Sequence, residues 1–293
     1  MNSIVKENKQ YTYTILKSDA IFLKYEYNEL QLGSIGKSTL NEDILFLKLG
    51  TGGNRIMINA AHDANEWKTG LVLMMFAEKF LKLYKEGKIY KGYDIREIWR
   101  KNSIYIIPMV NPDGVNLSLK DNIVINNLKY KEIWKLHENE LDKWKANIRG
   151  VDLKLNYINN YKKTKEKKSN FKGFAGPNKL SEKETINMYN FTRLLEFKIT
   201  FSLYLDGEEI SLPYIKGNMK GIYEIAKKFE KVSGLKIVLP EKKNFFGGFK
   251  EVVVKDFNQK SYDIKISKNI ENTAELNEAY NKIEEILLLA TEI

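Results

Sequence analysis

The sequence predicts an α/β fold: a single-domain three-layer α/β/α sandwich around a mixed, twisted sheet. Three observations lead there. Apolar runs of five to eight residues recur along the chain, segments of helical periodicity lie between them, and no stretch rich in Gly, Ser or Pro divides the sequence. One domain is therefore expected over residues 1–293, with residues 1–40 as an amino-terminal lead-in.

The runs at 44–49, 55–61, 103–110, 198–205, 236–239 and 261–266 are short and rich in β-branched residues, which suits buried strands. A helix is expected from about 65 to 84. A second is expected over 181–196, where Ser181 and Glu184 have capping-box spacing. Others are expected over about 219–232 and 273–289. In such sheets ligands gather where strands end and loops begin, which draws attention to loops 60–67 and 204–210. Asn-Pro-Asp-Gly at 111–114 reads as a turn, with proline fixing φ and Asp-Gly favouring a tight reversal.

Composition narrows the chemistry. Of 293 residues, 43% are hydrophobic and 29% charged, which is globular. There is no cysteine, so disulfides, thiolate metal sites and cysteine nucleophiles are excluded. The only histidines are His62 and His137, so any site with two histidine ligands must use both. The net charge is +10, from 48 Lys and Arg against 38 Asp and Glu. The basic residues are spread along the chain and read first as a solvated surface, with an anionic partner as the alternative. The one dense run is Lys162, Lys163, Lys165, Lys167 and Lys168, with Tyr161 and Phe171 beside it, read as a loop between motifs. No nucleic-acid module is recognisable. No secretory h-region and no apolar span of membrane length is visible, so a cytoplasmic protein without a membrane partner is expected.

The segment Asn59-Ala-Ala-His-Asp-Ala-Asn-Glu-Trp67 follows a predicted strand and opens a helix. Zinc sites need imidazoles or carboxylates converging at about 2.0–2.2 Å from the metal. Asp63 and Glu66 have i, i+3 spacing, and His62 and Glu66 have i, i+4 spacing. Further on stand NPDGVNL (111–117), WKANIRGVDLKLNY (144–157), GFAGPNKLSEKET (173–185), SLYLDGEEI (202–210) and SYDIKI (261–266). In this order the motifs resemble the zinc carboxypeptidase family, most of all its bacterial branch that cleaves γ-D-glutamyl–diamino acid bonds in cell-wall peptides. The start of the chain, through residue 52, resembles that family's amino-terminal portion.

The resemblance implies a zinc-carboxypeptidase-like fold and assigns roles by position. Glu66 matches a zinc-binding glutamate. The first zinc histidine position holds Asp63, with His62 one place early. The second is Leu205, in a motif one residue short. The general-base position is Lys265, so no catalytic residue is intact. The pair that grips a substrate carboxylate is replaced by Lys154 and Leu155. Lys145 lies near the oxyanion-stabilising basic residue, and Lys243 or a neighbour stands where a mobile tyrosine belongs.

Leucine supplies no ligand. A lysine cannot act as base unless its pKa falls by several units. The expectation is a degenerate metal and catalytic site, no cofactor, and a non-catalytic peptide- or muropeptide-binding or scaffold protein, with a protein partner as a further option. An ammonium group is expected to take the metal's place, with Lys265 paired to Glu66 and perhaps to Asp63. The alternative is an active metallopeptidase with zinc held by His62, Asp63 and Glu66. His137 is open as a further ligand. Asp206, Glu208 and Glu209 are expected near the cleft. Phe245 and Phe246 are read as core, with a pocket lining as the alternative.

Overall fold

Strands form where the apolar runs alternate between two buried faces. Ile56 and Ile58 of one run join one core, while Met57 between them joins another. The computed structural model describes residues 3–7, 10–158, 164–214, 219–239 and 247–293. Its strands are β1 (Gln31–Lys37), β2 (Asp43–Leu49), β3 (Asn54–Asn59), β4 (Ile89–Tyr90), β5 (Tyr93–Asp94), β6 (Asn102–Ile107), β7 (Ile199–Tyr204), β8 (Glu209–Ser211), β9 (Lys236–Val238) and β10 (Lys260–Lys265). Its helices are α1 (Tyr13–Glu26), α2 (Trp67–Glu86), α3 (Ile95–Lys101), α4 (Pro112–Ser118), α5 (Asn122–Ile125), α6 (Lys131–Trp134), α7 (Leu153–Asn156), α8 (Lys183–Leu195), α9 (Lys220–Ser233), α10 (Phe249–Phe257) and α11 (Thr273–Ala290). Single-turn 3₁₀ geometry occupies Ala64–Glu66, and a longer, kinked 3₁₀ stretch covers Lys135–Lys143.

Eight strands make one sheet in the order β1-β2-β6-β3-β7-β10-β8-β9. The centre is parallel: β3 with β6, β3 with β7, and β7 with β10. The β1–β2, β2–β6 and β8–β10 pairs are antiparallel, so the sheet is mixed. Residues of α1, α2, α9 and α11 fill the core on one face, and residues of α8 and α10 fill the other. A third, smaller cluster around Trp134, Leu141, Trp144 and Ile148 builds a lobe beside the sheet.

Parallel central strands send their carboxyl ends to one edge. Asn59, Tyr204 and Lys265 end three of them there, and Asn59 Nδ2 donates to the Phe201 carbonyl at 2.9 Å. Gly70 lets α2 lie close to that edge, because a Cβ there would stand 2.4 Å from the Pro108 carbonyl oxygen.

Two sequence expectations are corrected. Residues 111–114 do not reverse the chain. They start α4, with Asn111 as N-cap accepting from Gly114 N at 3.1 Å and Pro112 in the first turn, where its missing N–H costs nothing. Ser181 does not cap α8; Glu182 precedes that helix, and the Glu184 carboxylate reaches away to Thr39 N at 2.8 Å. Lys243, Phe245 and Phe246 lie outside the described residues.

Candidate functional site

The chain leaves β3 through Ala61 in the left-handed region (φ 51°) and passes Asp63 in extended conformation. In extended backbone neighbouring side chains point opposite ways. Asp63 therefore turns into the cleft at the strand ends while His62 turns beneath it. His62 packs among the rings of Tyr157, Tyr204 and Phe249, and its Nε2 lies 2.7 Å from the Tyr157 hydroxyl. Burial lowers its pKa to about 3, so the ring is neutral. Glu66 follows one turn later, at the start of α2, and accepts from Leu205 N at 3.0 Å. The position after Tyr204, where the resemblance implies an imidazole, adjoins Glu66 and offers it a backbone N–H.

Two ammonium groups meet these carboxylates. Lys154 Nζ, from α7, lies 2.7 Å from Asp63 Oδ2 and 4.8 Å from the centre of the Tyr204 ring. Lys145 Nζ lies 3.2 Å from the same oxygen and 3.9 Å from Glu66 Oε1. Lys145 is placed by its own backbone: its carbonyl accepts from Ala64 N, and its N–H donates to the Phe171 carbonyl. Asp63 is 1% exposed and Glu66 4%. Burial alone would push both carboxyls up. At Asp63 the lysines outweigh burial and hold the pKa below the ordinary range. At Glu66 burial and the Asp63 charge win, raising it to about 7. Lys154 is itself raised, because Asp63, Glu66 and Asp152 outweigh the cost of its burial.

Lys265 does not join them. Its ammonium pairs with Glu209 Oε1 at 2.9 Å. The reason is register: Lys265 on β10 is the antiparallel partner of Glu209 on β8. Its stem also lies against Gly207, where a Cβ would come within 2.8 Å of Lys265 Cδ. The expected Lys265–Glu66 pair is therefore replaced by Lys154 and Lys145 on Asp63, with Lys145 also facing Glu66. Leu155 is half-buried beside Lys154 on α7. Asp206 is exposed, with φ 71°, in the shortened turn after β7. Glu208 pairs with Lys282 at 2.9 Å. His137 packs on Phe171 and Trp144 beside the third cluster.

A cleft of about 390 Å³ opens above Glu66, bordered by Lys145, Leu205, Asp206 and Lys268. A smaller cavity of about 170 Å³ adjoins Lys154 and Tyr204 and is lined by a partly buried charge group that sequence reasoning missed. There Lys250 bonds Asp263 Oδ2 at 2.6 Å and faces Glu251 at 3.6 Å. No motif marks this trio: Lys250 and Glu251 open α10, and Asp263 is one residue of alternation in β10. Among the described residues, no group of three or more His, Asp and Glu side chains is arranged to hold a metal ion.

Comparison with known proteins completes the picture. Residues 22–284 match the zinc carboxypeptidase family. The γ-D-glutamyl-L-diamino acid endopeptidase 1 of Lysinibacillus sphaericus is 26% identical over 267 residues, covering 90% of this chain and 67% of that protein. A second relative, from Bacillus subtilis, is 27% identical over 241 residues, covering 80% of this chain and 64% of that protein, so this chain spans about two thirds of the length of each. Thrombin-activatable fibrinolysis inhibitor superimposes with a TM-score of 0.76 at 14% identity, covering 100% of this chain and 79% of that one. The murein-tripeptide amidase MpaA of Escherichia coli O157 superimposes at 0.55 and 16% identity, covering 88% and 91%. The fold and the family match together make this chain a member of the zinc carboxypeptidase family.

Proposed function

We propose that this chain is a non-catalytic member of its family, a binding or scaffold protein that has kept the peptide cleft and replaced the metal by lysine. The observation that carries this reading is the Lys154 ammonium 2.7 Å from Asp63 Oδ2, with Lys145 at 3.2 Å from the same atom. The residues present do not fit zinc. A divalent cation among them would meet two ammonium charges, a neutral histidine committed to Tyr157 and a leucine at the third ligand position. Two carboxylates alone make a harder, weaker donor set than imidazoles with a carboxylate. Hydrolysis in this family style also needs a base to take a proton from water and pass it to the leaving amine. Lys265, at that position, pairs with Glu209 Oε1 at 2.9 Å instead.

Stranding the two buried carboxylates would cost several kcal/mol, on the order of 3–5 for a broken buried pair. The lysines supply the compensation a metal would otherwise give, so the cleft stays folded without it. The ligand we propose is a peptide or muropeptide. Support comes from the shared family, from the relative named for a γ-D-glutamyl–diamino acid bond, and from the cleft of about 390 Å³ above Glu66.

The test pairs two assays on the full chain. Incubation with γ-D-glutamyl-diamino acid peptides and with ordinary C-terminal dipeptides should release no amine above a protein-free control. Calorimetry with the same peptides should detect binding that weakens when Lys145 is changed to Ala. Turnover of either substrate that disappears on changing Glu66 to Ala would overturn the reading.

A further inference from the structure

The excess charge is not spread as evenly as the lysines are. Residues 129–183 hold fifteen Lys and Arg against seven Asp and Glu, which is +8 of the chain's +10. Much of this stretch folds as the lobe around Trp134, Leu141 and Trp144. The loop through residues 164–173 is tied to that lobe: Lys145 N and Ala146 N donate to the Phe171 carbonyl at 2.9 and 3.0 Å, and Asn170 N donates to the Gly150 carbonyl at 3.0 Å. The His137 ring lies 5.0 Å from the Phe171 ring. Loop lysines and lobe lysines therefore share one body.

Their number against so few acidic residues sets them apart. Lys129, Lys135, Lys165, Lys168 and Lys172 are exposed, and among the described residues none of the five forms an ion pair. Elsewhere the pattern is mixed: Lys91 reaches Glu284 and Glu285 and Lys282 reaches Glu208 and Glu278, whereas the exposed Lys227, Lys228 and Lys231 on α9 form no ion pair among the described residues but share their helix with Glu224 and Glu230. A folded surface fed by a stretch that carries eight of the chain's ten excess positive charges holds a local potential suited to a multiply charged anion.

The type of anion follows from the side chains. Fourteen of the fifteen cations are lysines, point charges without a fork. The single arginine, Arg149, faces Glu182 at 3.6 Å. Two described aromatic rings, Tyr130 and Phe171, are half-buried against the lobe core and covered by lysines, Tyr130 by Lys129 and Phe171 by Lys172, each at 5.1 Å. Among the described residues of the lobe no open ring is offered for base stacking and no fork for base edges; Tyr161, Lys162 and Lys163 lie outside the described residues. We infer that this lobe binds a linear phosphodiester polyanion that carries no bases, a chain of the poly(glycerol phosphate) type, by charge alone. The inference is independent of what fills the cleft.

The experiment measures binding of labelled poly(glycerol phosphate) to the full chain over a range of salt concentrations. The affinity should fall linearly on logarithmic axes as counterions return to the polymer. Reversing Lys165, Lys168 and Lys172 together to Glu should weaken binding at low salt by roughly tenfold or more and reduce the slope by about one per lysine. The control reverses Lys227, Lys228 and Lys231, exposed on α9, and should change affinity no more than about twofold. If the Glu variant does not fold, the Gln triple is read instead through its slope. Absence of salt-dependent binding, equal loss in both triples, or tighter binding to a single-stranded oligonucleotide of equal charge would each overturn the inference.

Discussion

Two of the buried carboxylate pairs among the described residues are compensated in opposite ways. Asp63 and Glu66 face two ammonium groups. Asp113 and Glu184 face neutral donors. Asp113 accepts from Ser38 Oγ and Leu40 N at 2.8 and 2.7 Å, and Glu184 accepts from Thr39 N and Asn147 Nδ2. The second pair clamps the turn at 38–40 between α4 and α8 and has no cation within ion-pair range among the described residues. Burial and Glu184 accordingly push the Asp113 carboxyl up to about 7, whereas the lysines pull Asp63 down. A carboxylate held by N–H and O–H groups can take a proton and keep its place. Asp63 and Glu66, expected at metal-ligand positions, instead have positive charge beside them, and lysine delivers it.

The largest expected effect breaks the first pair at its cation. Lys154→Met strands part of the Asp63 charge, and unfolding in urea should show a loss of about 3–5 kcal/mol, near the low end because Lys145 remains. Adding Asp63→Asn should recover most of that loss. A double variant as unstable as the single one would mean that Lys154 acts by packing alone.

The second pair should answer to pH. The Asp113 pKa is higher in the folded chain than in the unfolded one, so the folded state binds this proton more tightly. Its contribution is full below about pH 4 and is lost as pH rises toward 7. Asp113→Asn should flatten that decline by on the order of 2 kcal/mol, read as the difference between variant and parent urea midpoints from pH 4 to 8. An unchanged difference across that range would show that Asp113 does not hold its proton. The smallest effect belongs to Lys265. Its pair with Glu209 is about one third exposed, so Lys265→Ala should cost about 0.5–1 kcal/mol. A loss as large as that of Lys154→Met would make Lys265 part of the compensating group.

These outcomes also mark how far the sequence could be read. The central strands were legible because their apolar runs are long and uninterrupted, and the 261–266 run differs from β10 by one residue at each end. The turn reading of 111–114 failed because Asn111 caps a helix, a role set by its contacts with His62 and Ala146. Motif order placed Asp63, Glu66, Lys145 and Lys154 in the same neighbourhood, and the need for a compensating cation follows from burial. Which lysine answers it does not. Cross-strand register sends Lys265 to Glu209, and that pairing is a property of the sheet rather than of either motif. The Lys250–Asp263–Glu251 group was invisible for a similar reason, since it joins a helix start to a strand face.

The central claim is that ammonium groups stand in for the metal. Zinc content of untagged protein, measured by mass spectrometry after equilibration with micromolar zinc and removal of the free ion, tests it most directly. Far less than one zinc per chain is expected. One zinc per chain, lost when Glu66 is changed to Ala, would contradict it.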